Sequence, residues 1–379
     1  MRTRGHRAVG KTGFFGGAAM KRKQLGVAVI GAGRIGTLRA RLAARHPSVG
    51  FLAIADINPE AARTLAERTG ADVFSTDNNA MIEHPDVNAV IVSTPEHMHV
   101  EPVCRALELG KPVLMEKPLG LTLADADQIL ATVRKTNGHL RVGYIRRFKR
   151  CFARAKQQIM DGHLGRITGA TARVYNTRAQ AFEILKRNPE ATPVVDVLTY
   201  FVDLMLWYNE GNPPVEVVAR AQHGIFKKAG FNVHDVTWAI ITLADGAVIN
   251  VGISYALPAD YPILGQTDRV ELLGEEGTMM IDDDHREHIL YSEKGSPHAY
   301  VPGHKVHLAF TGSNPSGDWS LGEYWGPLGN ETRQWFDHLV TGNPTHHATP
   351  EEARRVLETT VAIERAVASG ERVRLPLET

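Results

Sequence analysis

With 379 residues, 43% hydrophobic and 22% charged, the chain is long enough for two packed domains and too apolar to remain an unfolded polymer. Lys and Arg number 43 against 42 Asp and Glu, a formal net charge of +1 that provides no field for nucleic acid or an anionic membrane, so small molecules and further copies of the chain are the expected partners. Two distant cysteines, Cys104 and Cys151, make no disulfide framework, and a cytoplasmic setting is expected.

Residues 1–24 begin basic and turn Gly-rich, with a short apolar part broken by Lys11; they read as a disordered extension and not as an export signal. From residue 25 the chain alternates. The run LGVAVIG (25–31) predicts a buried strand, GAGRIG a glycine turn, and TLRARLAARH a helix. FLAIAD (51–56) predicts a second strand ending in an acid, followed by a helix over 58–70 with Pro59 near its start and Gly70 at its end. NAVIVSTP (88–95) and KPVLMEKP (111–118) predict two more strands around a helix, then a helix at 122–137 and a strand at 139–144. This rhythm is that of a doubly wound parallel sheet, an α/β Rossmann domain over 25–144.

Beyond 145 the pattern changes. Strand-like runs at 167–176, 215–222, 235–243, 247–254 and 269–273, two of them joined at Asp245-Gly246, predict a large, mostly antiparallel sheet in an α+β domain over 145–379 that binds substrate and pairs with other copies. An antiparallel sheet with one face free of helices must bury that face, which predicts a homodimer or homotetramer. The segment 282–328, rich in His, Gly, Pro, Trp and Tyr, reads as loop over a pocket or at an interface.

The spacing of Gly31, Gly33 and Gly36 between a strand and a helix, with Arg34 and Ile35 inside the turn, is a dinucleotide fingerprint: backbone N–H groups and the helix N-terminus meet a pyrophosphate. Asp56 ends the next strand 20 positions after Gly36, where a carboxylate accepts from ribose hydroxyls and repels a 2′-phosphate. NAD is therefore expected over NADP, although Arg63 on the following helix has the length to bend back.

AGRIG, STPEHMH (93–99), EKP (116–118), GYIRRF (143–148) and ERAVASGERV (364–373) together resemble the Gfo/Idh/MocA oxidoreductase family. The resemblance implies that Lys117 reaches the nicotinamide and the reacting hydroxyl, and that Ser93, Thr94, Pro95, His99 and Glu116 surround the cofactor. The family's usual Asp-x-Gly-x-His-x-x-Asp reads here Asp196-Val-Leu198-Thr-Tyr200-Phe-Val-Asp203, with tyrosine in place of histidine as in a minority of members. Independently, Asp196, Thr199, Tyr200 and Asp203 recur at helical spacing in the otherwise apolar PVVDVLTYFVDLMLW (193–207), a polar stripe that a catalytic face would explain. Lys117, Asp196 and Tyr200 are thus the candidate catalytic residues, with Tyr200 as a proton acceptor assisted by the Lys117 cation.

Tyr144, Arg147, Arg178 and His307 are candidate substrate contacts, and Arg146, Arg147, Arg173 and Arg178 are candidates for a carboxylate-binding group. The pairs His285/His288 and His304/His307 lack a supporting cysteine, and no metal is expected. The expected activity is NAD-dependent oxidation of a secondary hydroxyl of a sugar, inositol or other cyclic polyol. The alternatives are a cyclic dihydrodiol or carboxylated substrate, a sugar–sugar exchange on retained cofactor, and a non-catalytic NAD-binding regulator.

Overall fold

The computed structural model describes residues 24–189, 191–283 and 288–377. The expected extension at 1–24, apart from Gln24, and the candidate ligand His285 lie outside the described residues.

Eleven elements build the first layer system: β1 (Leu25–Ile30), α1 (Arg34–Ala43), β2 (Val49–Ala55), α2 (Pro59–Thr69), β3 (Val73–Ser75), α3 (Asn78–Glu83), β4 (Ala89–Val92), α4 (Val100–Glu108), β5 (Val113–Glu116), α5 (Leu123–Thr136) and β6 (Leu140–Gly143). The strands pair in parallel in the order β3-β2-β1-β4-β5-β6. Every residue of β1 and β4 is buried, as befits strands covered by helices on both faces. Local chemistry sets the helix ends. The Asn58 side chain accepts from the N–H groups of Glu60 and Ala61 to open α2, Gly70 closes it at φ 65°, and Thr122 and Asp125 cap α5 reciprocally. Strand order reverses between β1 and β4, which opens a crevice at their carboxyl ends.

The second system contains α6 (Arg150–Met160), β7 (Ile167–Thr177), α7 (Arg178–Arg187), a π-helical turn at Val194–Leu198 running into α8 (Thr199–Tyr208), β8 (Pro214–Gln222), α9 (Ile225–Lys228), β9 (Val236–Leu243), β10 (Val248–Leu257), β11 (Gln266–Gly274) and β12 (Thr278–Asp282). It is completed by β13 (Ile289–Pro297), β14 (Lys305–Phe310), β15 (Asp318–Ser320), β16 (Glu323–Trp325), α10 (Pro327–Thr341), α11 (Pro350–Ser369) and β17 (Val373–Arg374). Seven strands pair in the order β12-β11-β7-β10-β9-β8-β17, antiparallel except for β10 against β7. The predicted Asp245-Gly246 turn joins β9 to β10, with Gly246 at φ 89° and Asp245 accepting from the Ala247 N–H at 2.9 Å.

One sheet face packs on α8 and α11. The register places Trp238, Ile240, Val248, Leu273 and Met280 together on the other face, all exposed.

Two expectations are corrected here. The segment 282–328 is not simply loop: it holds the hairpins β13/β14 and β15/β16, whose weak alternation reflects strands with exposed sides. The stripe on 193–207 is also not one face, because the wider π turn offsets Asp196 from Asp203.

Candidate active site

A cleft of about 1070 Å³ lies at the carboxyl edge of the parallel sheet, between that sheet and the second system. Gly31, Gly33, Arg34, Ile35, Asp56, Ser93, Thr94, Pro95, Glu116, Lys117, Asp196 and Tyr200 all line it. Twelve residues from five sequence segments therefore converge on one crevice, as expected at a topological switch point.

The glycine turn fits a dinucleotide. A Cβ on Gly31 would lie 2.6 Å from the Ser93 carbonyl oxygen, and one on Gly36 would lie 1.8 Å from that of Gly31, so both positions require the absence of a side chain. Gly33 has nothing within 4 Å of its Cβ position and leaves the backbone open to the cleft. Ser93 Oγ is buried with no hydrogen-bond partner among the described residues, a polar atom left for an incoming group. Asp56 Oδ2 accepts from the Ala32 N–H at 2.6 Å and Oδ1 from the Asn58 N–H at 2.8 Å, which fixes the carboxylate beside the turn. Arg63 does not bend back toward it: its guanidinium donates to Glu60 at 2.6 Å.

Lys117 follows directly on β5. Its Nζ donates to the backbone carbonyl of Asp196 at 2.8 Å and lies 3.7 Å from Asp196 Oδ1, with side-chain exposures of 10% and 31%. The π turn presents this carbonyl and carboxylate together. From the sheet side the fully buried Tyr255, on β10, donates its hydroxyl to Asp196 Oδ2 at 2.5 Å. Sequence reasoning missed Tyr255; its one signal is a polar atom at an inward position of an alternating strand. Glu116 accepts from Arg39 Nε at 2.9 Å and Nη2 at 2.8 Å, and Arg39, fully buried, also donates to Glu331 and to Thr332 Oγ1. Burial and the neighbouring Glu116 push the Glu331 carboxyl up, against the pull of Arg39.

Tyr200 lies beside Lys117 in the cleft. Lys117 Nζ lies over its ring, 5.1 Å from the centroid. Burial, then the carboxylates of Glu116 and Asp196, push the Tyr200 hydroxyl well above its ordinary range. That environment favours the neutral form of the phenol.

Several candidates are placed elsewhere. His99 is fully buried, with Nδ1 3.1 Å from the Pro118 carbonyl and Nε2 3.0 Å from that of Thr94; it ties two cleft loops together from behind and does not line the cleft. Tyr144 is fully buried, its ring edge against Tyr200. Arg147 donates to Asp203 at 2.9 and 2.7 Å and to Glu352 at 3.1 Å, an arrangement that satisfies two buried charges and leaves the guanidinium away from the cleft. Arg178 donates to the carbonyls of Leu257 and Ala256, and the exposed His307 meets the Ser292 carbonyl at 3.1 Å; neither lines the cleft. The four arginines form no carboxylate-binding group, because Arg146 pairs with Asp268 and Asp283 while Arg173 bonds Thr267. Gln180, Gln266, His298 and Tyr300, not singled out from sequence, do line it.

Known proteins resemble this chain in sequence and in fold. Residues 25–144 match the family described as "Oxidoreductase family, NAD-binding Rossmann fold", and residues 152–280 match the GFO/IDH/MocA C-terminal domain. An inositol 2-dehydrogenase of Acidothermus cellulolyticus is 30% identical over 259 residues, 67% of this chain and 72% of that protein. A scyllo-inositol 2-dehydrogenase (NAD(+)) of Bacillus subtilis is 27% identical over 285 residues, 74% and 80% of the two chains. The solved scyllo-inositol dehydrogenase from Lactobacillus casei with bound NAD(H) and scyllo-inositol shares the fold, with TM-score 0.77 at 19% identity over 93% of this chain and 99% of that one. The chain belongs to the GFO/IDH/MocA oxidoreductase family, with an NAD-binding Rossmann domain at its N-terminal side.

Proposed function

We propose that the protein oxidises a secondary hydroxyl of inositol, a sugar or another cyclic polyol. The observation that carries this reading is the Lys117–Asp196 pair, set at the mouth of the glycine-lined crevice with a neutral phenol, Tyr200, beside it. Bound NAD supplies the hydride-accepting carbon. The residues of the chain handle the proton. Asp196 Oδ1, the carboxylate oxygen left by Tyr255 and within 3.7 Å of Lys117 Nζ, takes up the hydroxyl proton. The Lys117 cation stabilises the charge that develops on the substrate oxygen. Tyr200 donates to the same substrate and orients it.

A neutral polyol is favoured over a carboxylated substrate, since Arg147 and Arg178 are held by other groups. The inositol dehydrogenase relatives support the same class. Mixing the protein with NAD and a panel of inositols, sugars and sugar acids tests it: neutral polyols should raise absorbance near ~340 nm faster than the acids. No turnover of any polyol would overturn the proposal.

The exposed Trp238, Ile240, Val248, Leu273 and Met280 on one sheet face further support pairing with a second copy. Light scattering showing a monomer at micromolar concentration would overturn that part.

A further inference from the structure

The late segment of the second system reaches over helix α1. Arg34, first residue of α1, has its guanidinium 4.7 Å from the centre of the Tyr300 ring. Arg41, two turns on, lies 3.8 Å over the Trp319 ring, and Arg45 lies 5.1 Å from the same ring while donating to the Gly322 carbonyl. Arg34, Arg41 and Arg45 are thus stacked on aromatic rings from a segment that follows them by more than two hundred positions.

Tyr300 is itself held in place. Its hydroxyl shares a hydrogen bond with the buried Ser316 Oγ at 3.1 Å, and its N–H donates to His298 Nδ1 at 3.1 Å. Gly265 lies under the ring: a Cβ there would come within 3.0 Å of it. Arg34, by contrast, is exposed and appears in no ion pair or side-chain hydrogen bond among the described residues, so the ring is its visible restraint. A free arginine at this position would lose rotamer freedom when an anion arrived; a stacked one is ordered beforehand.

We propose that Tyr300 is a positioning residue for the dinucleotide: it holds the Arg34 guanidinium beside Gly31 and Gly33, where the pyrophosphate of NAD is bound. The inference rests on the NAD-binding assignment of the first domain and is independent of the polyol substrate. It makes a residue of the second system part of the cofactor's binding energy through a cation on the first.

The test is NADH binding, followed by nucleotide fluorescence, in the wild type and in Tyr300→Phe, Tyr300→Ala, Arg34→Ala and the double alanine variant, with ADP-ribose and adenosine as competitors. Tyr300→Phe keeps the ring and should bind NADH within about twofold of wild type, whereas Tyr300→Ala should bind it about fivefold more weakly, the scale of one cation–π contact. Tyr300→Ala should weaken ADP-ribose equally and leave adenosine, which lacks the pyrophosphate, unchanged. The double variant should bind no more weakly than Arg34→Ala, since Tyr300 acts through Arg34. The proposal is overturned if Tyr300→Ala binds NADH like wild type, if adenosine is weakened as much as ADP-ribose, or if the two losses multiply. A wild type that binds neither NADH nor ADP-ribose overturns the cofactor assignment as well, while failure of polyol turnover alone touches only the substrate proposal.

Discussion

The Tyr255 hydroxyl donates to Asp196 Oδ2 at 2.5 Å, so the carboxylate at the centre of the site is held from the floor of the sheet as well as by the Lys117 ammonium 3.7 Å from Oδ1. Tyr255→Phe removes the anchor from the sheet side and should lower kcat about tenfold, with NADH affinity unchanged. An unchanged kcat would remove Tyr255 from the proton-handling group.

Lys117→Met should lower kcat by about 10²-fold or more, because it removes the cation facing the reacting oxygen. Tyr200→Phe should cost only about tenfold, expressed in KM as well as kcat, since a neutral phenol orients substrate without taking its proton. Single-turnover rates for both variants decide the assignment: if Tyr200→Phe loses as much as Lys117→Met, Tyr200 is the proton acceptor after all.

Asp56→Asn keeps an acceptor oxygen for one of the Ala32 and Asn58 N–H groups, sets its amide nitrogen toward the other, and removes the negative charge. The ratio of NADP to NAD use, measured as kcat/KM for each, should rise about tenfold, a charge effect of roughly 1.4 kcal/mol. An unchanged ratio would place coenzyme choice elsewhere.

Acid should destabilise the fold through His139. Burial, then the charge of Arg141 and the neighbouring His338, push its imidazole down to about 4, and its Nε2 lies 2.9 Å from His338 Nε2. In the unfolded chain it titrates near ~6.5. Between these values the unfolded state binds a proton that the folded state refuses, so the contribution is present above pH ~6.5 and lost as pH falls toward 4. The melting temperature of His139→Gln, compared at pH ~7.5 and ~5, should fall less than that of the wild type; parallel losses would show that other groups dominate.

What the sequence determined by itself was everything that depends on neighbours along the chain. Buried runs alternating with helical periods required a parallel sheet. The glycines at 31 and 36 sit where a Cβ would strike backbone 2.6 and 1.8 Å away, and Asp56 follows at the end of the next strand. Asp196 and Tyr200 stood out because polar atoms in an apolar helix need a reason.

What only the tertiary structure decided was where long side chains spend their charges. Arg147 has the residue type that suits a carboxylated substrate, yet Asp203 and Glu352 reach it from distant elements and neutralise it in the interior. His99 and Tyr144 face inward for the same kind of reason, and Tyr255 enters the site only because β10 packs across the π turn that holds Asp196. Pairing between residues tens to hundreds of positions apart leaves no periodic trace, so the role of a buried charge or hydroxyl is settled by which partner the fold brings within three ångströms.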